Sequence, residues 1–332
     1  MEKTTTLQKI ISVTFSSLFF SCFVGLSAPQ ANDTKGNTPT LLGENWNLKV
    51  KGLTVYNDNV VNSPKQRDLR PANLGRGDGD SSIDLGGTAS YLYKPDNKIK
   101  VKFAYDLDVS IHTRLHAYDL LSQFFTVSPT YKISPLMNVN LQYSYIYNHL
   151  NLKPLSGIHY ISPSFNHMSK DFGFTRLAYT YKSTNNLQYN SRDNEQHSAG
   201  IDHYYFFNNF KSHLKGSYKY TKDNTKGTAY KRKIHDVGVK LKMPLFYDID
   251  LDAKVDLSFR KYDKRVSTSG DRLRSDYRKR YTINLSKVIM KNEGYVKKLS
   301  VVGRYQHTNN MTNLDVNEYS ANLYQIGLQG EF

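Results

Sequence analysis

The chain has 332 residues, 26 of them Tyr and 16 Phe, with one Trp, one Cys and a formal net charge of +16. A mean hydropathy of -0.59 argues against a helical membrane protein, and 13% aromatic residues argue against disorder. Such a polar, tyrosine-rich composition is typical of alternating strands, in which one face is apolar and the other polar.

The N-terminal segment predicts export. Two lysines precede an apolar run from Ile10 to about Leu26, and small residues follow. This is the order of a secretory signal peptide, with a cleavage site after Ala28 or Ala31. The alternative is a membrane anchor, but the run is short and interrupted by serines. We therefore expect a secreted or membrane-inserted mature protein.

Cys22, the only cysteine, lies inside this segment. A lipoprotein would be cut just before such a cysteine, but Phe19 and Phe20 fit poorly where Leu and a small residue are expected. If Cys22 is removed, the mature protein has no thiol and so no disulfide or cysteine-based metal site. The predicted parts are a signal peptide (1–31), a short periplasmic segment (32–45) and one β-domain (46–332).

From Trp46 onward the apolar residues recur at every second position. In NKIKVKFAYDLDVSI, for example, Val101 and Phe103 fall on one face and Lys100 and Lys102 on the other. The same period recurs along the rest of the chain. The predicted strands are 46–57, 82–94, 98–111, 117–132, 137–148, 156–166, 172–182, 197–207, 212–221, 231–243, 247–260, 277–290, 297–308 and 319–332.

Strands of about 10 to 14 residues suit tilted strands that cross a bilayer. A tyrosine-rich β-sandwich is the alternative, but its dry inner face would not hold Lys and Asp at successive positions. A barrel with a wet interior would, and closure pairs every backbone group. We predict an all-β transmembrane antiparallel up-and-down barrel of about fourteen strands, with twelve or sixteen left open by weak alternation in strands 4, 6 and 10.

The connections alternate between long polar stretches, such as DKRVSTSGDRLRSD, and short ones, such as PDN and PLF. In outer-membrane barrels the short turns face the periplasm and the long loops face outside. An even strand count then places both termini in the periplasm. The expected location is the outer membrane, with its lipid and lipopolysaccharide as surroundings.

The final residues, NLYQIGLQGEF, resemble the C-terminal targeting signal of bacterial outer-membrane barrels, in which alternating apolar residues end in a terminal Phe. Tyr324, Ile326, Leu328 and Phe332 match this pattern, and Gly330 departs from it. The resemblance implies a Gram-negative barrel whose last strand is recognised by the barrel assembly machinery.

The first strand and its following residues resemble the opening of the barrels of surface lipoprotein assembly modifiers. The match lies in the run from Tyr56 to Val60, which resembles the short Tyr-Asp-x-Asn-like turn of that family. Those barrels have about fourteen strands and move cargo across the outer membrane. This chain has no room for their tetratricopeptide-repeat region before Trp46.

Charged residues on the polar faces of the strands are predicted to line the lumen. They either select solutes in a pore or form cross-strand ion pairs that brace a narrow or plugged lumen. The predicted pore-lining residues are Lys98, Lys100, Lys102, Asp106, Asp108, Lys215, Lys219, Asp250, Asp252, Lys254, Asp256 and Arg260.

A second basic group lies later in the chain, on predicted outer loops or strand tops. It would contact lipopolysaccharide phosphates or form a funnel for anionic cargo; nothing in it resembles a nucleic-acid-binding module. The members of this group are Lys226, Lys231, Arg232, Lys233, Arg272, Arg274, Arg278, Lys279 and Arg280.

The predicted function is a passive pore or export conduit with a charged lumen, for surface lipoprotein or other anionic cargo. The alternative is a surface-structural or adhesive barrel with a blocked lumen and ligand-binding loops. No cofactor, metal or enzymatic activity is expected, because G-x-S-x-G and H-E-x-x-H motifs are absent. The tripeptide RGD at 76–78 is common enough by chance to carry no prediction.

Overall fold

The computed structural model describes residues 45–65, 78–169, 171–264 and 273–332. Within them, fourteen strands form a closed antiparallel barrel in which each strand pairs with its sequence neighbours and the last pairs with the first. The predicted fold class and strand number are confirmed. The strands are β1 (Trp46–Asn57), β2 (Asp80–Tyr93), β3 (Ile99–His112), β4 (Leu120–Ser134), β5 (Met137–Leu150), β6 (Lys153–Ser169), β7 (Gly173–Asn186), β8 (Asn194–Phe207), β9 (Ser212–Thr225), β10 (Arg232–Pro244), β11 (Ile249–Tyr262), β12 (Ser275–Glu293), β13 (Val296–Thr312) and β14 (Tyr319–Glu331).

The signal peptide, Cys22, most of the predicted periplasmic segment and two residues of the RGD tripeptide lie outside the described residues. Among the residues that the structure describes, no helix is long and apolar enough to cross a membrane.

The barrel has a polar interior and an apolar exterior, the reverse of a soluble domain. Outward side chains such as Val239 and Ile326 are 50% and 63% exposed. The most deeply buried side chains are polar, among them Ser162, Asp223 and Asn310. A β-sandwich needs a dry apolar core between its sheets, so this burial pattern rules out the sandwich alternative.

Two rims can be distinguished. β1 begins and β14 ends at one rim, called here the terminal rim, and the longest connections, 58–79 and 263–274, lie at the opposite loop rim. The predicted alternation of link lengths fails at one place, because β5 and β6 are joined on the loop rim by the two residues Asn151 and Leu152. Both have positive φ, 48° and 63°, as the tight turns favoured in β-hairpins require.

Several predicted strands ended too early at the loop rim. β7, β9 and β13 continue to Asn186, Thr225 and Thr312, whereas the sequence pattern predicted ends at 182, 221 and 308. Apart from Met311, these extensions are polar on both faces, so they carry no alternation. Their backbones still pair with the neighbouring strands, which indicates that the sheet continues past the apolar band.

A repeated turn links strands on the loop rim. Four loop-rim connections in the described part of the chain contain a three-residue 3-10 turn whose closing N–H donates to the carbonyl of its first residue. Asp119 and Asp193, which follow two of these turns, accept the N–H groups of His112 at 2.7 Å and Asn186 at 2.8 Å. The sequence pattern did not predict this turn.

Candidate functional site in the barrel lumen

Eleven of the twelve predicted pore-lining residues fall on the polar, inward face of three strands, β3, β9 and β11. In β3, Lys100, Lys102, Asp106 and Asp108 alternate with outward apolar residues, and the registers of β9 and β11 place the other wall residues on the same inward face. Lys98 differs, because it lies in the turn before β3 and is exposed. Their role in a pore remains a prediction.

One ion pair crosses an intervening strand. Lys51 on β1 and Asp108 on β3 both pair in register with Gly86 on β2, and the Lys51 Nζ lies 2.7 Å from the Asp108 Oδ1. A Cβ atom on Gly86 would overlap Lys51 and lie 2.6 Å from that Asp108 oxygen. Glycine therefore opens the space through which the two side chains meet.

On the opposite wall, most aspartates are neutralised by lysines on the same or a neighbouring strand. Because both partners are partly exposed to the lumen, each pair contributes little to stability, but together they fix the positions of the side chains. The pairs are Lys215–Asp202 at 2.9 Å, Lys219–Asp236 at 3.4 Å, Lys240–Asp252 at 2.6 Å and Lys254–Asp256 at 2.8 Å.

The remaining predicted wall residues have neutral partners or none. Asp106 accepts a hydrogen bond from Thr88 at 2.5 Å, and the Arg260 Nε donates to Ser258 at 3.2 Å. Lys100, Lys102 and Asp250 form no ion pair with any described residue. The wall thus combines charges that are paired across the sheet with charges that are unpaired among the described residues, and both interpretations of the charged lumen stay predictions.

Three arginines of the lumen wall, like Arg260, have no acidic partner among the described residues. Arg176 on β7 and Arg278 and Arg280 on β12 form no ion pair with any residue that the structure describes. The Nε atoms of Arg176 and Arg280 are buried without a hydrogen-bond partner. Asp202 and Asp256 lie directly opposite Arg176 and Arg280 in register, but their carboxylates contact Lys215 and Lys254 instead.

These three arginines line one concave cavity. Its volume is about 370 Å³, and its wall extends from β6 to β12. A guanidinium presents a planar fork of donors that matches carboxylate and phosphate oxygens. The cavity therefore offers a positively charged site with unused hydrogen-bond donors.

The sequence pattern did not predict Arg176 as a lumen residue, and it placed the other two arginines outside the lumen. It assigned Arg278 and Arg280 to an outer basic group, but their registers opposite Ser258 and Asp256 place them on the lumen face. The alternation with Tyr277 and Tyr281 was the signal that could have shown this. Arg176 is one of two charged residues in the mostly polar strand β7, the other being Lys182, so nothing in the sequence singled it out.

Other members of the outer basic group brace the loop rim. Arg232 pairs with Asp223 at 3.1 Å and Arg274 with Asp276 at 2.8 Å. Both guanidinium groups also lie over the ring of Tyr262. The Arg232 Cζ is 5.7 Å from the ring centroid and the Arg274 Cζ is 4.6 Å from it. Arg272 lies outside the described residues.

The histidines and acidic residues of the described ranges do not gather into a metal site. No group of three or more His, Cys, Asp or Glu residues there could hold a metal ion. Outward histidines instead meet tyrosine hydroxyls, such as His159 with Tyr143 at 3.0 Å and His235 with Tyr218 at 2.9 Å.

The sequence matches no family model and no curated protein. Solved structures are similar in fold. OmpT, an outer membrane protein of Vibrio cholerae, superposes with a TM-score of 0.50 at 7% identity over 87% of this chain and 98% of that chain. A Pseudomonas aeruginosa FadL homologue gives 0.48 at 9% identity over 86% and 89%. An anion-selective porin from Comamonas acidovorans gives 0.47 at 10% identity over 86% and 98%.

At such identities the likeness concerns the fold alone. This chain has the fold of outer-membrane β-barrel proteins. The resemblance to surface lipoprotein assembly modifiers is not found among these comparisons and stays a prediction.

Proposed function

We propose that this chain is an outer-membrane pore through which small anionic solutes diffuse. The closed sheet pairs its backbone groups and turns its apolar side chains outward, as lipid requires. Its inward side chains are polar, as a water-filled passage requires. In the proposed orientation, the terminal rim faces the periplasm and the loop rim faces outside the cell.

The observation that carries the proposal is the cluster of Arg176, Arg278 and Arg280. The wall aspartates nearest to it are already paired with lysines, so the net charge of this region is positive. A solute carboxylate or phosphate can pair with the free guanidinium donors, whereas the net positive charge of the region disfavours a cation. Charged walls in a passage of this kind set which ions enter.

The last strand has a separate proposed role as the segment that the barrel assembly machinery recognises. Tyr324, Ile326 and Leu328 lie on the outward face of β14 and are about half exposed or more. Phe332 extends the pairing with β1, because its N–H donates to the Leu48 carbonyl at 2.8 Å. Its ring lies over Gly330, where a Cβ would be 3.1 Å away, which accounts for the small residue at that position.

Solute flux into proteoliposomes tests the pore. Vesicles containing the folded full-length chain should swell faster in gluconate than in a sugar of similar size, and faster in that sugar than in a cationic amine. Vesicles containing boiled protein provide the control. If the folded chain admits none of these solutes, the proposal is wrong; if it admits the amine fastest, the anion preference is wrong.

A further inference from the structure

Three lysines lie side by side on the outer wall of the barrel. Lys222 on β9 pairs in register with Lys233 on β10, and Lys233 with Lys261 on β11. All three are exposed and belong to the outward face, near the loop rim. We call them the lysine row. His197 on β8 continues the row on one side.

The lysine row lacks a counter-charge. None of the three lysines forms an ion pair with a residue in the described ranges. The nearest outward acids are Glu195 and Asp263, at the next positions toward the rim, and neither reaches an ion-pair distance. Like charges directly opposite each other destabilise a sheet, so the barrel alone leaves this repulsion uncompensated.

Lysines of the lumen show the contrast. There, Lys215 and Lys240 each meet an aspartate at 2.9 Å or less. An acidic residue opposite Lys233 on a neighbouring strand would also be close enough to form an ion pair, because directly opposite side chains lie within reach of each other. The chain has lysines at these positions instead. Because no described residue neutralises the row, we consider a counter-charge from another molecule.

Aromatic rings lie one step below the lysine row, on the side of the apolar band. Tyr220, His235, Phe259 and Tyr277 occupy consecutive registers there. Phe259 and Tyr277 stack with ring centroids 4.7 Å apart, and Tyr220 and His235 lie 5.1 Å apart. Aromatic girdles of such barrels sit at the membrane interface.

This arrangement fixes the depth of the lysine row. Two residues along a strand span about 7 Å, so the amines extend from just above the aromatic rings into the headgroup layer. Neighbouring strands are about 4.8 Å apart, so the row is about 10 Å wide. That width fits a headgroup with more than one phosphate.

We propose that the lysine row binds the phosphate groups of a phosphorylated glycolipid in the outer leaflet. The inference rests on the proposed outer-membrane orientation, in which the loop rim faces outside. The lysines would contact the phosphates, and the aromatic row below would pack against the glycolipid backbone and the start of its acyl chains. A soluble anion would engage only the lysines and leave the aromatic row without a partner.

Native mass spectrometry of the folded full-length protein tests this site. The probe is bisphosphorylated lipid A, compared with its dephosphorylated form and with inorganic phosphate. The variant Lys222→Gln/Lys233→Gln/Lys261→Gln removes the row. A matched control, Lys94→Gln/Lys287→Gln/Lys291→Gln, removes the same charge from exposed lysines near the terminal rim.

Each lysine near an anionic headgroup contributes about 1 kcal/mol. The triple variant should therefore bind lipid A about a hundredfold more weakly, and Lys233→Gln alone about fivefold. The control should bind like the unmodified protein. The single variant keeps the test decisive if the triple variant does not fold.

Equal binding of lipid A by the row variants and the control would overturn the inference. The inference would also be overturned if the unmodified protein bound dephosphorylated lipid A as tightly as the bisphosphorylated form, or if inorganic phosphate fully displaced lipid A. Solute flux measured on the same variants separates this inference from the pore. Loss of lipid binding with unchanged flux supports the lysine row, and it does so whether or not the pore prefers anions.

Discussion

Asp58 accepts two hydrogen bonds from Asn322, one from its backbone N–H and one from its side-chain amide, both at 2.7 Å. Asp58 follows the first strand and Asn322 lies in the last, so the contact spans the joint that closes the barrel. Asn59 adds a bond to the Ser320 carbonyl at 2.9 Å, and Lys65 pairs with Glu318 at 2.9 Å. The Asn-Asp-Asn run after β1 thus fastens the two ends of the sheet.

Replacing Asp58 with Ala should weaken this joint. The half-buried donors of Asn322 would lose their acceptor, which costs about 1 kcal/mol. Gel migration reports folding, because the folded barrel and the boiled chain run differently. We expect Asp58→Ala to unfold at a lower temperature.

Asp171→Ala is the matched control, because Asp171 is exposed and has no hydrogen bond or ion pair within the described part of the chain. It should unfold at the temperature of the unmodified protein. If both variants behave alike, the Asp58–Asn322 contact does not stabilise the joint.

Gly86→Ala should separate Lys51 from Asp108. The new methyl group would occupy the space between them, while Gly87→Ala would place its methyl 4.0 Å from the nearest atom. We expect Gly86→Ala to lower the urea midpoint and Gly87→Ala to leave it nearly unchanged. Equal midpoints would show that Lys51 and Asp108 move apart without cost.

Ser162→Ala should destabilise the barrel, because Ser162 lies where Pro163 interrupts the hydrogen bonds between β6 and β7. Pro163 has no N–H to donate, and the pairing of β6 with β7 skips this position. The Ser162 hydroxyl donates to the Tyr179 carbonyl instead, at 3.0 Å. Removing it leaves a carbonyl unpaired and should cost about 1 to 3 kcal/mol.

Ser164→Ala is the control for that change, because the Ser164 hydroxyl is buried without a hydrogen-bond partner among the described residues. Its removal should be neutral or slightly stabilising, since it removes an unsatisfied polar group. Urea denaturation of the two variants, followed by tryptophan fluorescence, compares them directly. A Ser164→Ala variant less stable than Ser162→Ala would contradict this assignment.

Alternation of apolar and polar residues was enough to predict fourteen strands and the face on which Asp108 and Lys254 lie. It could not predict that Lys51 meets Asp108, because that contact depends on the registers of two strand pairs. It also could not predict that Arg176 and Arg278 line the same cavity, since their strands are distant in sequence. Strand ends such as Thr225 were missed because both faces of the sheet are polar there.

The reversal potential of the channel in a planar bilayer with a KCl gradient tests the proposed pore most directly. The account predicts a reversal potential whose sign shows that chloride permeates more readily than potassium. In Arg278→Gln/Arg280→Gln this potential should shift toward zero. Lys287→Gln/Lys291→Gln removes the same charge elsewhere and should leave the potential unchanged. An absence of channels, a preference for potassium, or equal shifts in the two variants would contradict the account.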